Sequence, residues 1–235
     1  DAYPLISLNG LTDTDSDGIP DLCDQNCLDL GMLQDVYPLG IIYVNDDSIC
    51  DNKTESCGHS WGNAFTFLAD ALAVSNANES IWLAQGAYFP GETNFDSTEL
   101  DYFELKNNQK LIGGFSDDGL ATMVEDANPQ LYISVISGDI GHDDDMDALQ
   151  RTKKYDDIAS SNSYTLISAS DYAGHIFIEG VTLTGSTSSA IAISVSGLTI
   201  KNSVVMGVSG ENGSAINIQN NLNCDVLIEN VVGLH

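Results

Sequence analysis

The last third of the chain repeats itself, and the spacing of that repeat limits the folds open to it. His175-Ile-Phe-Ile-Glu-Gly-Val-Thr-Leu-Thr-Gly185 lies over Gly197-Leu-Thr-Ile-Lys-Asn-Ser-Val-Val-Met-Gly207, and both lie over Asp225-Val-Leu-Ile-Glu-Asn-Val-Val-Gly-Leu-His235. The copies start 22 and then 28 residues apart. A second series, Tyr164-Thr-Leu-Ile167, Ala190-Ile-Ala-Ile193 and Ala215-Ile-Asn-Ile218, is offset by 26 and then 25 residues. Apolar residues at alternate positions read as short strands, with Asn202, Asn217, Asn220, Asn221, Asn223 and Asn230 supplying corner chemistry. Two strand series sharing a period of about 25 residues predict stacked coils, each burying its apolar residues against the next. A β-sandwich, which also has short strands at regular spacing, is the competing architecture.

Upstream, Ile41–Val44, Ile81–Ala84, Tyr102–Leu105, Lys110–Phe115 and Tyr132–Ile136 read as further strands. Residues 62–74 carry the one convincing helical pattern, with Phe65, Leu68 and Leu72 on one face and Ser60 near its start as a cap.

Several segments follow in a recognisable order: Ile42-Tyr-Val-Asn-Asp46, His59-Ser-Trp-Gly-Asn-Ala-Phe65, Leu68-Ala-Asp-Ala-Leu72, Ile81-Trp-Leu-Ala-Gln-Gly-Ala-Tyr-Phe-Pro90, Leu111-Ile-Gly-Gly-Phe115 and Ile136-Ser-Gly-Asp-Ile140. This stretch resembles the N-terminal part of bacterial secreted β-helix proteins related to the chlamydial polymorphic outer-membrane proteins, within the pectin-lyase-like class. The resemblance implies an all-β fold, a right-handed parallel β-helix (solenoid) over residues 39–235, with an α-helix capping its N-terminal end. A cap of that kind covers strand edges that would otherwise template aggregation. The last residues fall inside an expected strand, so an incomplete C-terminal end is expected too.

Residues 1–38 read as a separate arm. Asp13, Asp15, Asp17, Asp21 and Asp24 occupy positions 1, 3, 5, 9 and 12 of a loop with Gly18 at position 6. That is the ligand spacing of a calcium loop, and Ile19 at position 7 offers its carbonyl. The unit also resembles the thrombospondin type 3 repeat, down to Cys23-Asp24-Gln25-Asn26-Cys27. Ca²⁺ is the expected cofactor. The run from Asp139 to Asp147 holds a second candidate metal set, Asp139, Asp143, Asp145 and Asp147, without the loop order of the first.

The chain has 235 residues with 35 acids against 7 bases, a net charge of −28. That balance excludes nucleic acid as a partner, because phosphates need Lys and Arg. No run of about 20 apolar residues exists to insert in a membrane. Cys23, Cys27, Cys50 and Cys57 fall in two close pairs, and disulfides beside a calcium loop predict a secreted or cell-surface setting. Which cysteines pair stays open, and Cys224 is left over. The start at Asp1, without a leader, reads as a mature or excised piece.

Catalytic chemistry has little support. Glu179 and Glu229 occupy matching repeat positions, but Lys201 stands between them, so the three predict a charge ladder rather than a carboxylate pair. Arg151, Lys153 and Lys154 cluster in a polar insertion. No nucleophile elbow or phosphate loop is present. The expected role is therefore non-enzymatic: calcium-stabilised adhesion, matrix or structural assembly, with surface glycans or further copies of the chain as partners. A filament subunit joined through the N-terminal arm is one rival; a polysaccharide lyase or glycoside hydrolase is the other.

Overall fold

The computed structural model describes residues 40–50, 57–92, 97–170, 174–208, 215–219 and 225–234. The arm with Asp13, Asp15, Asp17, Ile19, Asp21 and Asp24 lies outside them, as do Cys23, Cys27 and Cys224.

Fifteen strands and one α-helix make up the described fold. One parallel sheet has six strands in the order β1 (Ile41–Val44), β2 (Ser80–Ala84), β5 (Lys110–Phe115), β8 (His175–Glu179), β11 (Gly197–Lys201) and β14 (Asp225–Glu229). A second has five: β3 (Gly86–Tyr88), β6 (Ser134–Ser137), β9 (Val181–Thr184), β12 (Val204–Met206) and β15 (Val232–Leu234). A third has four: β4 (Phe103–Glu104), β7 (Thr165–Ala169), β10 (Ser189–Ile193) and β13 (Ile216–Ile218).

The register stacks like on like. Ile42, Ile81, Leu111, Ile178, Ile200 and Ile228 are successive Cα partners across the six-stranded sheet. Tyr88, Ile136, Leu183 and Val205 do the same across the second sheet. All but the exposed Ile228 meet in one apolar core that also takes in Phe103, Leu166, Ile167 and Ile191. Parallel strands need cover for their apolar faces, and here the three sheets supply it for one another.

Each repeat copy is bent in two by a residue in the left-handed region: Gly180 (φ +70°), Asn202 (φ +48°) and Asn230 (φ +52°). Only Gly, Asn and Asp adopt that backbone at low cost, which is why one of these types recurs there. At Gly180 space matters as well, since a Cβ would come within 2.6 Å of the Gly113 carbonyl oxygen.

The expected right-handed parallel β-helix is corrected by these elements. They define a mostly β fold of three parallel sheets and one helix, and no closed helix or solenoid is shown among the described residues. The sheets hold six, five and four strands, so the early part of the chain does not complete equal turns. Long excursions without strands separate β5 from β6 and β6 from β7. The uniform period of the last third does not extend to them.

The helix is also shorter than its periodicity predicts. Residues Trp61–Asn63 form a 3₁₀ turn and α1 runs only over Leu68–Val74. Ser60 starts the 3₁₀ turn, with its backbone N–H donating to Asn63 Oδ1 at 2.9 Å. Phe65 lies between the two in an extended bridge to Val44 and Cys50, so its burial belongs to the sheet. Leu68, Ala71 and Leu72 bury the helix against β1 and β4. Cys50 and Cys57 form a disulfide beside it.

The large aromatics of the first strands divide between two places. Tyr88 and Phe103 are core residues. Trp61 and Trp82 instead join Tyr43 and Phe115 in a separate cluster, with Trp82 stacked on Phe115 at 4.5 Å. Trp61 Nε1 ties the cluster to the following excursion by donating to the Ala121 carbonyl at 2.9 Å.

Candidate metal centre

The acidic run after β6 begins an excursion that leaves the second sheet at Gly138 and rejoins the third at Thr165. Asp139 sits at its root, fully buried, and forms an isolated antiparallel bridge with Asn162 at the far end of the excursion. Its Oδ1 accepts the Asp143 amide at 3.0 Å and its Oδ2 the Asp144 amide at 3.2 Å. One carboxylate thus folds the acidic loop back over itself. Ligand atoms of Asp139, Asp143 and Asp144 all lie within 4.8 Å of one another.

Asp144 ties the loop to the rest of the excursion. Its Oδ2 accepts from Thr152 Oγ1 at 2.7 Å and from Asn162 Nδ2 at 2.9 Å, and its Oδ1 accepts from the Ala159 amide at 2.7 Å. Asp143 accepts from Ser160 Oγ at 2.8 Å and remains exposed to solvent. Burial pushes the Asp139 carboxyl above its ordinary range; its two amide donors oppose this and the Asp144 charge adds to it. Three carboxylates this close repel one another, and a divalent cation would relieve that repulsion.

Of the four residues expected here, the structure brings Asp139 and Asp143 together and leaves Asp145 and Asp147 outside the group. Asp147 Oδ2 is held by Arg151 Nε at 2.9 Å and Nη2 at 2.7 Å, while its Oδ1 accepts the Leu149 and Arg151 amides. Burial alone would raise its pKa, but the Arg151 hydrogen bond and these amides hold it below the ordinary value. Asp145 is exposed and its backbone N–H donates to the Asp157 carbonyl. In their place the structure supplies Asp144. Three consecutive aspartates carry no periodic signal that tells the inward one from the others; the turn set by Asp139 decides it.

Two further concave places lie among the described residues. A cavity of about 400 Å³ is lined by Asp46, Asp47, Gln85, Asp117, Leu131 and Leu149. Asp46 accepts the Ala87 amide at 2.8 Å, and burial raises its pKa. Near it, burial together with the Asp46 charge takes Glu92 up to about 7, with the Phe89 amide opposing. A groove of about 330 Å³ runs over the six-stranded sheet between Lys110, Phe177, Glu179, Thr199 and Lys201. The expected ladder in that groove is half formed. Lys201 Nζ lies 3.0 Å from Glu229 Oε2, whereas Glu179 accepts from Asn202 Nδ2 at 2.8 Å.

No family model, curated protein or solved structure matches this chain. Among the described residues no helix is long and apolar enough to cross a membrane.

Proposed function

We propose that this is a non-enzymatic extracellular protein, stabilised by calcium, that serves cell-surface adhesion, matrix or structural assembly. The observation that supports this most is the convergence of Asp139, Asp143 and Asp144 in a chain of net charge −28. Every group in that cluster is a hard oxygen acceptor, the donor type calcium takes. The hydrogen bonds around it tie the excursion to the sheets. The spacing from Asp13 to Asp24 adds a second calcium loop in the N-terminal arm. The Cys50–Cys57 disulfide suits an oxidising compartment.

A glycan array probed in millimolar calcium and again in chelator tests this reading, with a product assay on acidic polysaccharides beside it. Calcium-dependent retention without cleavage is the expected result. Release of unsaturated or reducing-end products would replace the reading with a lyase or hydrolase.

The open edge of β14 favours a second reading, self-assembly. Val226, Leu227 and Ile228 are 45 %, 46 % and 51 % exposed, on a strand that pairs along one edge only among the described residues. Negative-stain microscopy in calcium and in chelator distinguishes the two readings. Ordered fibres support assembly, and discrete particles in both conditions count against it.

A further inference from the structure

We infer that the side-chain oxygen of Asn162 completes a calcium site with Asp139, Asp143 and Asp144, and that the ion clasps the 138–164 excursion at both of its ends. The inference rests on the reading above for the choice of cation; the ligand set rests on geometry.

Asn162 is 1 % exposed. As the bridge partner of Asp139 it projects its side chain to the same face as that carboxylate. Its amide nitrogen donates to Asp144 Oδ2 at 2.9 Å and to the Gly185 carbonyl at 2.6 Å. Both partners are acceptors only, so the amide cannot be reversed without losing both bonds. The amide orientation is therefore fixed, with its nitrogen on Asp144, and its Oδ1 is buried with no hydrogen-bond partner. Buried polar oxygens are rarely left in that condition.

A cation meets both demands at once. It satisfies the Asn162 oxygen and neutralises carboxylates that crowd within 4.8 Å. Calcium–oxygen distances of about 2.3–2.6 Å place the oxygens of one ion up to about 5 Å apart, which the cluster matches. The amide donors on Asp139 do not compete, because each carboxylate oxygen retains a second lone pair. Three carboxylates and an amide oxygen, with no sulfur or imidazole, select a hard ion over zinc. Asp139 stands at the start of the excursion and Asn162 near its end, so an ion between them closes the loop. Gly185, at the end of β9, leaves the room: a Cβ there would lie 3.3 Å from Asp144 Oδ2 and 3.0 Å from Thr152 Oγ1.

Calcium titration calorimetry on the full chain tests the site, using an Asp17→Ala background to silence the N-terminal loop. One ion is expected to bind in that background. Asp143→Asn and Asn162→Ala should each weaken it at least about tenfold, and Asp145→Asn should leave it unchanged. No binding in the Asp17→Ala background overturns the inference and leaves the N-terminal loop as the only calcium site. Undiminished binding by a folded Asn162→Ala protein overturns the role of Asn162 and points to a buried water there. Should Asn162→Ala fail to fold by circular dichroism, the exposed Asp143 decides: unchanged affinity in Asp143→Asn overturns the site. Equal stoichiometry in wild type and Asp17→Ala, lost in Asp143→Asn, supports this site while removing the N-terminal loop.

Discussion

Asn230 donates its side-chain amide to Oδ1 of Asn202 across 2.7 Å, and both residues hold a left-handed backbone. Asn202 in turn donates to Glu179 Oε1 at 2.8 Å. The corners at Asn202 and Asn230 are thus held twice, once by a backbone that Asn tolerates and once by a side-chain ladder between neighbouring strands. Asn202→Val should lose both and destabilise the protein by roughly 1–3 kcal/mol. Asn202→Gly keeps the backbone and loses only the ladder, so it should cost less. Urea midpoints of the two variants check this, and equal losses would remove the backbone from the explanation.

Ile200 and Ile228 are register partners in one column, yet Ile200 is fully buried and Ile228 is 51 % exposed. Burial, not residue type, sets the cost of truncation. Ile200→Ala should cost about 2–5 kcal/mol. Ile228→Ala should cost about half that or less. Equal costs, measured by denaturation at low protein concentration, would mean that β14 is covered in solution, as self-assembly requires.

Glu92 has its pKa raised from 4.5 to about 7, and Asp46 and Asp139 are shifted in the same direction. A carboxyl with a higher pKa in the folded state binds more protons there than in the unfolded chain. Stability in chelator should therefore fall as pH rises from the ordinary carboxylate range through about 7. Glu92 still meets solvent, which screens the effect, so the prediction is one of direction. Glu92→Gln should flatten this slope in melting curves recorded across the window; an unchanged slope would assign it to other groups.

Calcium should raise the melting temperature by mass action. At a concentration 100 times the dissociation constant, one site contributes about 2.7 kcal/mol. Asp17→Ala or Asp21→Ala should lower the melting temperature in calcium and leave it unchanged in chelator. An equal fall in both conditions would make the loop a structural feature independent of the ion.

Much of the strand pattern is legible in the residues. Ile41–Val44 and Lys110–Phe115 have the expected bounds, and the repeat copies align in register as Gly197 with His175 and Asp225. The helix is less legible, because Phe65 fits a helical face by spacing but is drawn into a bridge with Val44. At the metal centre, Asp139 and Asp143 stand out as acids in a short run. Asn162 does not, since it lies 23 residues from Asp139 in a polar stretch with nothing local to mark it.

Alternation of apolar side chains, left-handed corners at Gly180, Asn202 and Asn230, and an excess of acids over bases are local or additive properties. They are settled by the order of residues alone, because a strand's period and a residue's tolerance for positive φ need no distant partner. Closure into equal coils is not such a property, and here three unequal parallel sheets take its place. Nor is the choice among Asp143, Asp144, Asp145 and Asp147. Asp147 is taken up by Arg151, Asp145 faces solvent, and Asp144 turns inward to Thr152 and Asn162. Only the tertiary fold decides which carboxylates converge, because convergence depends on what the two ends of the excursion meet when the bridge between Asp139 and Asn162 brings them together.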